Sequence, residues 1–507
     1  MKFIKNMLNK YFLSTLIIIA FTEFVLSQDT TSVTNQTKYS ASTVAEFSHQ
    51  MDDIFNDPNF ANANWGVMIQ SLETGEYFYK RNEDKLFVPA SNLKLITSAA
   101  GLILLGEDYQ YTTNILIRGK IDGPELIGDL VLQGTGDPTI SGRFYKNDML
   151  SFYKMIADSL LNMGIDEIRG NLIGDDDAFD DNGLGEGWSW DYESYWYSAP
   201  SGAISFNDNC IDIVVKRNVK DNSAEILLFP DTKYVIVQNE VEIVPKDSAT
   251  NINIYRQRGT NYITIFGKLS ENTDSVKLYC TINNPTQYSM VVFKEVLREK
   301  GIYVKGYPID IDDLSYPLEY DSLKLLFSFK SPPLKEIIKV INKNSQNFFA
   351  EQLLKTIGYE KEGEGTALNG IKAIKNVLLD MGINPEGVSI VDGSGLSNLN
   401  LISPRHIVTL LSYLYKSRFY VPFLNSLPIA GIDGTLGKRM KNTRAESKVR
   451  AKTGFISHVR SLSGYTSTAD NEPIAFSMIV NNFSVPVKLA ENIQDLVCLR
   501  LVNFKRK

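Results

Sequence analysis

Hydrophobic and polar positions set the two ends of this chain apart from its middle. Trp65-Gly-Val-Met-Ile-Gln-Ser-Leu alternates into a Glu73-Thr-Gly-Glu turn and is answered by Tyr77-Phe-Tyr-Lys, a hairpin pattern preceded by a helical stretch over residues 43–60. Near the other end, residues 448–455, 459–468 and 473–483 read as three further strands, with Asp470-Asn471 at a turn. Residues 487–504 follow with Leu489, Ile493, Leu496, Val497 and Leu501 on one helical stripe. Residues 334–357 and 367–381 also carry helical period. Both ends therefore predict one α/β domain, an antiparallel sheet flanked by helices, assembled from residues 43–112 and 331–507. Residues 113–330 differ: short β-rich runs at 126–133, 171–174, 211–216, 224–229, 234–244 and 252–255 are separated by turn residues. An insertion of that length exceeds any loop, so it predicts two nested β-rich domains.

The amino terminus reads as an export signal over residues 1–27. Three lysines and no acid precede an apolar run too short for a bilayer span, and Val25-x-Ser27 suits a cleavage site. Glu23 and the large residues near the cut leave an uncleaved anchor as the alternative. The absence of a following cysteine excludes a lipoprotein anchor, and residues 28–42 read as a Thr/Ser-rich tail. This places the protein outside the cytoplasm, in a periplasm or cell-wall space, with room for peripheral membrane contact.

Composition narrows the chemistry. With 507 residues, 43% apolar and 22% charged, the chain has the makings of a multidomain folded protein rather than a disordered one. Net charge is −7, and −9 once the first 27 residues are removed, which argues against nucleic-acid partners. Three cysteines (Cys210, Cys280, Cys498) allow at most one internal bridge. Three histidines (His49, His406, His458) cannot supply a His-rich metal site. The acidic run 175–181 lacks EF-hand spacing and reads as a solvated loop, so no metal or cofactor is expected.

Pro89-Ala-Ser91-Asn-Leu-Lys94 opens a run that ends at Gly106 and reads as a helix with proline at its start. Serine and lysine three apart share a face. A serine hydroxyl is a weak nucleophile until its proton is removed, and a lysine held neutral by burial or a second cation can remove it. Such a tetrapeptide alone is common, and its ordinary reading is a surface helix with a solvated lysine. Two further elements change that: Ser345-Gln-Asn347, where polar residues interrupt an apolar helical segment, and Lys452-Thr453-Gly454 inside a predicted strand.

Ser-x-x-Lys, Ser-x-Asn and Lys-Thr-Gly, in that order and context, are the active-site elements of penicillin-binding proteins and serine β-lactamases. With the insertion between Ser91 and Ser345, and with Gly134-Thr-Gly-Asp-Pro-Thr, Gly187-Trp-Ser-Trp-Asp, Tyr197-Ser-Ala-Pro, Asp392-Gly-Ser-Gly-Leu-Ser, Gly434-Thr-Leu and Leu462-Ser-Gly-Tyr, the chain resembles the class C low-molecular-mass penicillin-binding proteins. These are the D-alanyl-D-alanine carboxypeptidase/endopeptidase family. The resemblance implies a transpeptidase-like domain interrupted by two nested domains. It also implies peptidoglycan stem peptides and cross-links as substrates, β-lactams as inhibitors, and no cofactor. By the same resemblance Ser91 is the nucleophile and Lys94 its base, while Ser345 passes a proton to the leaving amine. Asn347 holds the substrate amide and positions Lys94, Lys452 supplies positive potential, and Thr453, within Lys452-Thr453-Gly454, binds the terminal carboxylate. The N–H groups of Ser91 and Phe455 form the oxyanion hole.

Two positions depart from the family pattern. Phe455 replaces a small hydroxyl residue, and Asn398 stands where many relatives place an arginine. The aromatic stretch 188–197, with Asp191, Glu193 and Tyr197, offers a place for the amine of a diamino-acid side chain, or else simple packing at a domain junction. Glu364-Gly-Thr-Ala-Leu-Asn369 is one residue too long for the deacylating motif of class A β-lactamases. Competing readings are another Ser-Lys hydrolase on this scaffold, an esterase or weak β-lactamase, or a catalytically silent peptidoglycan-binding protein.

Overall fold

The computed structural model describes residues 41–506; the expected signal segment and almost all of the tail lie outside the described residues. Strands Asn64–Ser71 and Tyr77–Arg81 join Arg450–Ile456, Val459–Ser467 and Pro473–Asn481 in a single five-stranded sheet. All four pairings are antiparallel. Residues more than 400 positions apart in the chain therefore pair in one ladder, with Trp65 opposite Val480.

Period-two alternation sends the strands' side chains to two cores. Ile474, Phe476, Met478 and Val480 face one side with helices Val44–Phe55 and Val487–Asn503. Ala475 and Ile479 face the other, against helices Lys94–Leu105, Leu334–Lys343, Asn347–Glu362, Ala367–Asp380 and Pro404–Tyr415. Covered on both faces, the central strands are buried almost end to end. The stripe expected on the last helix is rotated: Ala490, Gln494, Val497, Cys498 and Leu501 are buried, whereas Leu489 is exposed.

Between the two halves, residues 112–330 form a seven-stranded mixed sheet and two three-stranded sheets. The three-stranded sheets use strands between Cys210 and Ser270 together with Ser275–Thr281. One apolar cluster runs through the insertion and includes helices Ser151–Asn162 and Pro285–Glu299, neither of which the β-rich sequence pattern suggested.

Helix Asn347–Glu362 ties the insertion to the rest. Its residues Asn347 to Gly358 are all buried. The Gln352 side chain donates to the carbonyls of Gly136 and Gly202 and accepts from the Gly202 N–H. Lys355 donates to the carbonyls of Asp180 and Asn182 and pairs with the Asp180 carboxylate at 2.6 Å.

The acidic run is a solvated loop only in part: Asp177 and Asp181 are exposed, but its first residues are held inside. Asp175 ends a strand and is buried, accepting from Gln133 and Tyr320. Asp176 accepts from Thr286, and burial together with Asp310 pushes its carboxyl up to about 7. The three cysteines are buried free thiols. Glu364 is exposed, and its neighbour Thr366 caps helix Ala367–Asp380, so the motif-like stretch is a helix start. Among the described residues no helix is long and apolar enough to cross a membrane.

Candidate active site

Ser91 lies in a single 3₁₀ turn, Ala90–Leu93, and the α-helix proper begins at Lys94. The difference from the expected α-helix has a consequence. In a 3₁₀ turn residues three apart eclipse, which sets Ser91 directly over Lys94. Nζ of Lys94 is 3.1 Å from Ser91 Oγ, 2.6 Å from Asn347 Oδ1 and 2.7 Å from the carbonyl oxygen of Ser394. The turn is held from behind: Ser461 Oγ donates to the Pro89 carbonyl, and Asn92 Nδ2 donates to the Lys452 carbonyl. Ala90 has φ 48° and Ser345 φ 57°, left-handed backbone at the two non-glycine positions that present the serines.

Lys94 is fully buried, and burial brings its amine down from the ordinary lysine range to about 7. The carboxylates of Asp392 and Glu351 oppose that fall. Of the two causes the sequence left open, burial or a second cation, desolvation is the one that lowers Lys94. Lys452 is itself fully buried, and its amine is lowered first by desolvation and then by the charge of Lys94. Its Nζ donates to Ser345 Oγ at 2.8 Å and to the Thr453 carbonyl at 2.7 Å. Two serine–lysine pairs thus meet at one place.

Asn347 joins them to the insertion, donating through Nδ2 to the Tyr197 carbonyl at 2.6 Å. A cavity of about 530 Å³ opens above the pairs, lined by Ser91, Ser345, Asn347, Thr453, Thr435, Phe455, Tyr192, Trp196 and Tyr197 among others. Thr453 Oγ1 donates to Thr435 Oγ1 at 2.7 Å. Phe455 is 63% exposed, its ring lying under the Arg460 guanidinium 3.5 Å from the ring centre.

Of the residues singled out from sequence, Ser91, Lys94, Ser345, Asn347, Lys452, Thr453, Phe455 and Tyr197 converge here. Gly454 does not line the cavity: a Cβ there would collide with Ser461 Oγ and stand 2.8 Å from the Pro89 carbonyl, so its bareness lets the turn that carries Ser91 approach the strand. Asp191 is exposed, off the lining but near enough to help desolvation raise the Tyr197 hydroxyl to about 12. His458 sits at a turn with Nδ1 3.0 Å from the Phe483 carbonyl, and it does not line the cavity.

Sequence reasoning missed Glu351 and the role of the 392–397 loop. Asp392 accepts from the N–H groups of Gly395 and Ser397, from Asn400 Nδ2 and from Trp188 Nε1. Glu351 accepts from the N–H groups of Gly393 and Ser394 at 2.9 and 2.8 Å. A signal was available, since an acid inside Phe348-Phe-Ala-Glu-Gln-Leu-Leu is costly to bury without a purpose.

An antiparallel sheet between helical layers, with a Ser-x-x-Lys pair whose lysine is buried beneath a cavity-lining serine and faces a Lys-Thr-Gly edge strand, defines an active-site-serine enzyme scaffold. The D-Ala-D-Ala carboxypeptidase 3 (S13) family model matches residues 47–500, and the chain belongs to that family. A D-alanyl-D-alanine carboxypeptidase of Actinomadura sp. (strain R39) is 32% identical over 476 residues, covering 92% of this chain and 86% of the relative. The D-alanyl-D-alanine carboxypeptidase DacB of Haemophilus influenzae is 27% identical over 456 residues, 85% of this chain and 90% of the relative. The crystal structure of penicillin binding protein 4 from Haemophilus influenzae superposes with a TM-score of 0.78 at 24% identity, covering 90% of this chain and 99% of that one. The same protein complexed with a β-lactam superposes at 0.72.

Proposed function

We infer that the chain is a serine-type D-alanyl-D-alanine carboxypeptidase that binds penicillin and works through an acyl-enzyme on Ser91. The observation that carries this reading is the pairing of each serine with a buried lysine, Lys94 with Ser91 at 3.1 Å and Lys452 with Ser345 at 2.8 Å. Both amines are depressed by burial, and two ammonium groups in one site resist joint protonation. One is thereby available as a base.

The steps follow from these positions. Ser91 Oγ attacks the carbonyl carbon of the penultimate D-alanine as its proton passes to Lys94 Nζ. Backbone N–H groups of Ser91 and Phe455 take the oxyanion charge. When the C–N bond breaks, the leaving amine receives a proton from Ser345 Oγ, which Lys452 Nζ replaces. Water then attacks the ester carbonyl, giving up a proton by way of Ser345 Oγ to the neutral Lys452, and Ser91 Oγ leaves with the proton held by Lys94, so the shortened peptide is released and both lysines return to their starting states. The substrate's terminal carboxylate is held by Thr453 and Thr435, side by side at the cavity wall, within the field of Lys452. Strand Arg450–Ile456 is an outer strand of the sheet, so an extended peptide can lie along it as an added strand. The aromatic wall of Tyr192, Trp196 and Tyr197, with Asp191 behind it, receives the stem-peptide side chain.

Peptidoglycan stem peptides and cross-links are the substrates under this reading, β-lactams the covalent inhibitors, and the protein is exported to the periplasm or cell-wall space. The decisive experiment maps the adduct formed with benzylpenicillin and follows release of D-alanine from a D-Ala-D-Ala peptide. An adduct on any serine other than Ser91, or no adduct at all, would overturn it.

A further inference from the structure

We propose that Glu351 is a positioning residue for the reaction: by gripping the Gly393–Ser394 backbone it presents the Ser394 carbonyl to Lys94 and so leaves the amine's lone pair for Ser91. The inference rests on the reading of Lys94 as the base.

A neutral lysine amine has two N–H donors and one lone pair. Three oxygens surround Lys94 Nζ, and two of them can only accept: Asn347 Oδ1 at 2.6 Å and the Ser394 carbonyl at 2.7 Å. These consume both N–H groups. The third oxygen, Ser91 Oγ at 3.1 Å, carries the only hydroxyl proton among the three, so the lone pair faces the proton it has to take. If either acceptor turned away, the amine would be free to donate to Ser91 instead, which is the wrong direction for proton transfer.

Each acceptor is fixed by one further contact. The Tyr197 carbonyl accepts from Asn347 Nδ2 and so decides which way that amide faces. Glu351 does the equivalent for Ser394. Its two carboxylate oxygens accept from the Gly393 and Ser394 N–H groups, and Thr97 Oγ1 donates to the Gly393 carbonyl. Glu351 is 5% exposed, one turn along the same helix from Asn347. A single helix therefore sets both acceptors. A carboxylate suits the task better than an amide, because only a carboxylate offers two acceptors and no donor to two converging N–H groups.

The same carboxylate leaves an electrostatic signature. The charged groups facing Lys94 are Asp392, Glu351 and Lys452; those facing Glu351 are Asp392 and Lys94. Burial lowers the Lys94 amine and the Glu351 charge holds it up, while burial and the Asp392 charge raise the Glu351 carboxyl itself to about 7, so it is fully charged only on the alkaline side of neutrality, where the acylation plateau is read. Removing that charge lowers the amine further.

The test is the pH profile of benzylpenicillin acylation for the wild type, Glu351→Gln and Glu351→Asp. Glu351→Gln should lower the high-pH plateau roughly tenfold or more, because a misplaced base is costly. It should also move the midpoint down by about one pH unit, because a nearby anion is lost. Glu351→Asp keeps the charge but shortens the reach, so the plateau should fall while the midpoint stays near that of the wild type. A Gln variant with an unmoved midpoint, or an Asp variant with an unchanged plateau, overturns the proposal. Should Glu351→Gln fail to fold, the Asp variant decides alone, with its melting temperature as control. A wild type that is not acylated at Ser91 would instead sink the assignment of the enzyme itself, so the two failures are distinct.

Discussion

Asn347 is clamped between two segments far apart in the chain: its Nδ2 donates to the Tyr197 carbonyl and its Oδ1 accepts from Lys94, each at 2.6 Å. The insertion, through one backbone carbonyl, thus orients a side chain at the Lys94 amine. Asn347→Asp would set a carboxylate oxygen against the Tyr197 carbonyl and an anion beside Lys94. The amine's proton affinity should rise, since an opposite charge favours the protonated form. Acylation at pH 7 should fall more than tenfold, and its midpoint should move to higher pH. A stopped-flow pH series checks this; a midpoint equal to that of the wild type contradicts it.

Acylation of the wild-type protein should follow the Lys94 amine. The base works only when neutral, so the rate should be low below pH 6 and rise through about pH 7. Lys94→Arg should nearly abolish acylation at every pH, because a guanidinium does not give up its proton. A profile that is flat from pH 5 to 9, or an active arginine variant, would exclude Lys94 as the base.

Thr453 and Thr435 form a hydroxyl pair at 2.7 Å on the cavity wall. Thr453→Val keeps shape and strand propensity while removing a donor. Loss of a hydrogen bond to a charged group costs about 1.5–3 kcal/mol, roughly ten- to a hundred-fold. The loss should appear in kcat/KM for peptides ending in a free carboxylate, and be much smaller for a thioester that has none. Equal losses on both substrates would move Thr453 from carboxylate binding to general support of the site.

Gly454→Ala tests how closely the nucleophile turn rests on the strand. The added Cβ would meet Ser461 Oγ and the Pro89 carbonyl, and the latter, being backbone, cannot swing aside. Overpacking of this kind typically costs about 1–3 kcal/mol. The melting temperature should fall, and acylation should fall further than the melt explains, because Pro89 lies two residues from Ser91. Adding Ser461→Ala should recover only part of the loss. Full recovery would show that the backbone contact is unimportant.

Much of this protein was legible along the chain. Alternation in residues 65–71 and 473–481 and the order of the Ser-x-x-Lys, Ser-x-Asn and Lys-Thr-Gly elements are local properties, and they pointed to the antiparallel α/β layers and the family. The limits were equally physical. Helices Ser151–Asn162 and Pro285–Glu299 went unread because their apolar faces pack within a region whose dominant signal is short strands. The rotation of helix Val487–Asn503, which buries Ala490 and Gln494 and exposes Leu489, depends on the sheet beneath it.

Residue types and their spacing can be read along the chain: two serines, two lysines, an asparagine and a glycine placed to suit a strand, a turn and a helix start. Their chemical character comes from the surroundings that folding gives them. The Lys94 amine comes down to about 7 because burial removes it from water, and segments some 250 to 300 residues away supply Asn347 and the Ser394 carbonyl as its acceptors. Glu351 and Asp392 then limit how far its proton affinity falls. Periodicity and motif spacing report on neighbours a few residues away, whereas desolvation and charge act through space on whatever the fold brings together.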